Sequence, residues 1–75
     1  MKITVETGKW AARYMEEPLI IMEAEPGDTV EDIIDELGIP QDEAGMAVIG
    51  GEGVAKTYIV KDGDVIKIHP VIIGG

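Results

Sequence analysis

At 75 residues, 45% of them apolar, the chain is one small domain that can fold around its own core, though a domain of this size buries only about 60% of its unfolded surface. It has no cysteine and a single histidine, His69, which excludes disulfides, thiolate metal sites, a cysteine nucleophile and any metal site built on histidines. Its net charge is −9, with twelve acids and no base between Arg13 and Lys56; such a surface repels nucleic acid and anionic lipid and suits a partner with a basic face, or keeps a small domain dispersed.

The start, MKITVETGK, alternates at once and has no apolar leader region, and no apolar run approaches the roughly 18 residues that cross a membrane. The expectation is a cytoplasmic protein with neither nucleic acid nor membrane as partner. Lys2–Thr7, with Ile3 and Val5 on one face, is a half-buried strand. Gly8–Glu17 is irregular and carries Trp10, Tyr14 and Met15, the two aromatics being either cover for the core or an exposed contact patch. After Pro18 a second strand runs from Leu19 to near Glu25, and Glu25-Pro26-Gly27-Asp28 is a turn.

A helix over Val30–Leu37 is the clearest local signal. Thr29 can cap it by accepting from the backbone N–H near Asp32, and Glu31 and Asp32 oppose the positive end of its dipole. Val30, Ile33, Ile34 and Leu37 form one apolar stripe, and Gly38 and Pro40 end the helix. Two turns do not persist alone, so the stripe must lie on a sheet, against Ile3, Val5, Ile20, Val48, Ile66 and Ile68.

Gln41–Gly45 reads as a polar loop, Met46–Ile49 as a short strand and Gly50–Gly53 as a turn, from which Val54–Val60 returns towards the sheet. Lys61-Asp62-Gly63-Asp64 is a further turn and Val65–His69 the final strand, closed by Pro70, which has no N–H for a ladder. The order predicts an α+β domain, a mixed sheet of four to five strands with one main helix packed on one face.

Most chemical candidates are better explained by structure. Asp62 and Asp64 fall short of the roughly six oxygens a cation site needs and fit a bulged turn around Gly63. Gly50, Gly51 and Gly53 lack the Lys-Ser/Thr and the helix start of a phosphate loop. His69 has no catalytic partner nearby in sequence. There remains the ending Ile73-Gly74-Gly75. Alone, it reads as a frayed end. It also fits a terminus that must enter a narrow site elsewhere, since glycine lets backbone approach closely.

The stretch from Val60 through the DGD turn of Asp62-Gly63-Asp64, the strand Val65-Ile66-Lys67-Ile68-His69, the exit Pro70-Val71-Ile72-Ile73 and the last two glycines resembles the C-terminal pattern of the MoaD/ThiS family. The capped helix at Thr29 also stands in the family's place. The resemblance covers nearly the whole chain and is least distinctive over Gly8–Pro18. It implies a ubiquitin-like β-grasp domain over residues 1–70 and a flexible C-terminal tail over 71–75. It implies no catalytic residues and no bound cofactor or metal: the protein would be a sulfur carrier, not an enzyme.

In that family an E1-like adenylating enzyme uses ATP to adenylate the last carboxylate, here that of Gly75. A sulfur donor then displaces AMP and leaves a thiocarboxylate. Val71, Ile72, Ile73 and Gly74 would be the tail that enters the partner's site. The exit and the Arg13-Tyr14 region lean towards a MoaD-like small subunit of molybdopterin synthase, partnered by the synthase large subunit. A ThiS-type carrier, partnered by a thiazole synthase, is the alternative. Two further readings are a ubiquitin-like modifier conjugated to lysines through Gly75 and a binding domain whose last glycines are incidental.

Overall fold

The computed structural model describes residues 1–72, in the order β1 (Lys2–Glu6), a 3₁₀ turn (Lys9–Ala11), β2 (Leu19–Glu23), α1 (Val30–Glu36), β3 (Ala44–Ile49), β4 (Glu52–Val54) and β5 (Val65–Pro70). The strands form one five-stranded sheet ordered β2-β1-β5-β3-β4, in which only β1 and β5 pair in parallel. This is the ubiquitin-like β-grasp arrangement predicted from the sequence.

Register sorts the side chains between two faces. Ile20, Val5, Ile66 and Ile49 lie across β2, β1, β5 and β3 in one row, and Ile68 beside Ala47 in another. Val30, Ile33 and Ile34 of α1 are buried in the same cluster with Ile3, Val5, Ile66 and Ile68. Burial of these branched side chains, at roughly 1.5–3 kcal/mol each, is the main force holding the helix to the sheet.

Four sequence expectations need correction. Val48 belongs to the open face, and Ala47 takes the core position expected of it. Gly45 lies within β3, at an irregularity between Ala44 and Met46, not in the preceding loop. Leu37 is only half-buried, because it is the C-cap residue where the stripe leaves the sheet. The segment after Val54 does not rejoin the sheet. It runs beside the start of α1, where the Val30 N–H donates to the Tyr58 carbonyl and the Val60 N–H to the Asp28 carbonyl, and a single bridge joins Thr29 and Ile59.

The helix start is built as its sequence implied. The Asp32 N–H donates to Thr29 Oγ1 at 3.2 Å, while the Asp32 carboxylate accepts from the Thr29 N–H at 2.9 Å and from its hydroxyl at 3.0 Å. These bonds, the backbone one foremost, hold the Asp32 carboxyl below its ordinary value of 3.8. A depressed folded-state value stabilises the fold above the ordinary value, and that contribution is lost as pH falls through the depressed one. The melting-temperature gap between the wild type and Asp32→Asn is therefore expected to be constant near neutrality and to close as the pH is lowered past 3.8. A gap that instead widens in acid would contradict this assignment.

Candidate functional site

The far end of β5 is where the chain leaves the sheet, and three neighbours determine how. Pro70 lies opposite Ala44, and beyond it the Val71 N–H still donates to the Glu43 carbonyl at 3.0 Å, so backbone pairing reaches one residue past the proline. Next to Ala44 on the same strand stands Gly45. A Cβ built there would lie 2.9 Å from the Pro70 carbonyl oxygen and 3.0 Å from both the Cα and the N of Val71. Val71 and Ile72 are then exposed, Ile72 by 87%.

The loop that supplies the Glu43 carbonyl is tied on several sides. Gln41 Nε2 donates to the Glu31 carbonyl at 2.9 Å and to Asp35 Oδ1 at 2.8 Å. Lys56 Nζ donates to the Gln41 carbonyl at 2.7 Å. The Tyr14 hydroxyl donates to Glu43 Oε2 at 2.6 Å, and this bond to a carboxylate raises the phenol above its ordinary value of 10.0. Tyr14, half-buried against the core, thus links the segment before β2 to the tail's point of departure.

Around the exit lies an open groove of about 660 Å³, lined by Gly45, Met46, Val48, His69, Pro70, Val71 and Ile72. It continues an apolar surface on the face of the sheet away from α1, where Val65 and, further along, Leu19 and Ile21 are exposed. Lys67 lies on this face, 4.0 Å from Glu6. Its length and exposure leave that pair little net energy.

Of the tail predicted to enter a partner, Val71 and Ile72 are at this groove, whereas Ile73, Gly74 and Gly75 lie outside the described residues. The other candidates have structural roles. Asp62 Oδ1 accepts from the Lys2 N–H at 2.9 Å, and Asp64 Oδ2 from the Lys61 N–H at 2.8 Å, so both carboxylates fasten the turn before β5. Gly50 and Gly51, at φ +61° and +82°, form the two-residue β3–β4 turn that requires left-handed backbone at both positions. His69 is exposed opposite Met46. Trp10 packs on the core edge and walls a small cleft with Thr7, Gly8, Lys67 and Ile68. Among the described residues, no three His, Cys, Asp or Glu side chains are placed to hold a metal ion, and no helix is long and apolar enough to cross a membrane.

Sequence reasoning missed Gly45 and Glu43. A lone glycine among apolar residues is a recognised sign of a bulge or a close backbone approach. Glu43 acts through its main chain, which leaves no mark in sequence.

Solved structures share this architecture at low identity. SAMP1 from Haloferax volcanii superposes with a TM-score of 0.73 at 15% identity, covering 100% of both chains. A second structure of the H. volcanii small archaeal modifier protein 1 gives 0.74 at 14%, over 95% of this chain and 98% of that one. A putative molybdopterin converting factor, subunit 1, from Pyrococcus furiosus gives 0.72 at 19%, again over 95% and 98%. At such identities the likeness establishes the fold. No curated protein matches the chain. The family model for Mut7-C ubiquitin matches residues 9–73, including the irregular segment that carried least of the MoaD/ThiS resemblance. The chain belongs to the Mut7-C ubiquitin family and is a MoaD/ThiS-like ubiquitin-fold protein.

Proposed function

We propose that the protein is a sulfur carrier of the MoaD-like kind, activated at the carboxylate of Gly75. The observation that carries this reading is the exit of β5. The last described residues run against the stretch from Glu43 to Gly45 and emerge exposed beside an apolar groove, as a segment destined for another protein's site would. The fold shared with a putative molybdopterin converting factor subunit supports the same reading.

The chemistry is the partner's. An E1-like enzyme brings ATP to the tail, and a carboxylate oxygen of Gly75 attacks the α-phosphorus. The bond from that phosphorus to the bridging oxygen breaks, and pyrophosphate leaves. The resulting mixed anhydride is attacked at its carbonyl carbon by sulfur at the oxidation level of hydrogen sulfide. A C–S bond forms as the C–O bond to AMP breaks, and the terminus becomes a thiocarboxylate without net redox change. The carrier contributes an unhindered terminus and an apolar docking face. The acceptor side would be a synthase large subunit, or a thiazole synthase if the chain is of the ThiS type.

Incubation with ATP, the cognate E1-like enzyme and a sulfur donor should produce one oxygen-for-sulfur exchange, located by intact-mass and peptide analysis in the C-terminal peptide. A terminus that remains an ordinary carboxylate, with no adenylate formed, would remove the carrier reading. The modifier reading has its own support, because one of the similar structures is named as a small archaeal modifier protein. It predicts isopeptide-linked conjugates that resist reducing gels, in place of a free thiocarboxylate.

A further inference from the structure

We propose that Gly45 is a positioning residue that fixes the point at which the tail separates from the sheet; its consequence for activation rests on the carrier reading above.

Neither of the usual needs for glycine applies at this position. Gly45 is not among the glycines with positive φ, so its backbone conformation is open to any residue, and it is exposed, so a side chain would not crowd the core. What crowds a side chain here is the β5 exit. The three atoms nearest a Cβ at Gly45 all belong to the main chain of Pro70 and Val71, at 2.9–3.0 Å, and main chain cannot turn aside as a flexible side chain can. Two residues earlier in the same stretch the Glu43 carbonyl accepts from the Val71 N–H, and the Glu43 side chain is held in turn by Tyr14. The exit is therefore seated against the stretch from Glu43 to Gly45, where a carbonyl holds it and a glycine leaves it room.

A methyl group at Gly45 must displace this exit. The bond it strains most directly is Val71 to Glu43, which is the last described backbone bond of the chain. Without that bond the chain departs at least one residue earlier. Each residue added to the free span extends its reach by about 3.3–3.6 Å. For a terminus that must meet a phosphorus atom in another protein, a misplacement of even about 1 Å can cost on the order of a hundredfold in rate. Most of the exposed apolar face, at Leu19, Ile21, Met46 and Val65, is formed by other residues. Gly45→Ala should thus lower turnover far more than it weakens recognition.

The test uses the 75-residue chain and three variants. Gly45→Ala adds the methyl group. Val71→Pro removes the N–H without touching Gly45. Gly53→Ala is the control, because a Cβ there meets only the Met46 thioether, at an ordinary 3.5 Å. In Gly45→Ala, exchange of the Val71 amide should accelerate by roughly tenfold or more, while the Val5 and Ile66 amides keep wild-type protection. In pyrophosphate exchange with the cognate adenylating enzyme, Gly45→Ala and Val71→Pro should both lose about tenfold or more in kcat with KM for the carrier within about threefold, and Gly53→Ala should match the wild type. Unchanged Val71 exchange in Gly45→Ala would overturn the proposal. So would equal acceleration at Val5 and Ile66, which would make Gly45 a requirement of the sheet as a whole. If the wild-type chain is never adenylated, the carrier reading fails and takes the kinetic consequence with it, while the exchange data still decide the positioning role.

Discussion

Ile33→Ala is expected to lower the melting temperature by about 10–25 °C, the largest loss from any single truncation in α1, through a cost of about 2–4 kcal/mol. Ile33 is fully buried beneath the helix among Ile3, Val5, Ile66 and Ile68. Truncation removes its transfer energy and leaves a cavity that a close-packed sheet cannot readily fill. A domain of this size has few kcal/mol in reserve, so the loss takes much of its stability. Leu37→Ala provides the internal comparison. That side chain sits half-buried at the C-cap, so its truncation should cost only about 1–2 kcal/mol. Thermal melts of both variants, followed by circular dichroism, decide the matter. Equal losses would mean that Leu37 is as deeply packed as Ile33 and that the end of the helix has been misplaced.

The second large effect, on the carrier reading, is on activation. Gly74→Val, and separately a chain carrying one extra residue after Gly75, should each abolish adenylation while leaving the melting temperature within error of the wild type. A β-branched side chain at position 74 would meet the walls of any site narrow enough to select glycine, and a β-branched residue is also stiff at χ1. The extra residue acts differently, by converting the carboxylate proposed to react into an amide that cannot attack phosphorus. Two glycines are costly to order, so a site that demands them must gain more from their lack of side chains than it loses in entropy. Adenylate formation, followed by pyrophosphate exchange, is the readout. Full activity of Gly74→Val would show that the tail does not pass through a constriction, and the carrier reading would lose its steric rationale.

The parts of this fold visible in sequence were those with strong periodicity or strong punctuation. The stripe of Val30, Ile33 and Ile34, the Thr29 cap and the alternation in β1 and β5 each depend on residues close together in the chain. The register of β3 was not visible, for a specific reason. Ala44, Met46, Ala47, Val48 and Ile49 are all apolar, so hydrophobicity does not say which face turns inward. The irregularity at Gly45 then sets the parity, placing small Ala44 and Ala47 in the core and Met46 and Val48 outside. The 3₁₀ turn at Lys9–Ala11 is three residues long and has no periodicity to detect. At the candidate site, Pro70, Val71 and Ile72 were legible as an exit. The carbonyl of Glu43 and the space above Gly45 were not, because both arise from strands brought together only by the tertiary fold.

The parallel pairing of β1 with β5 sets the order of events when the chain is made. β1 finds its central neighbour only in β5, the strand of this sheet made last, and β3 also needs β5 beside it. Contacts between distant parts of a chain are slow to form, and a sheet missing its middle strand is two separate hairpins with little stability of their own. Folding of the sheet must therefore wait until β5 has been made, and a chain cut short before β5 has no seat from which a tail can be presented. Any enzyme that recognises both the sheet face and the tail would thereby act only on chains that have finished folding.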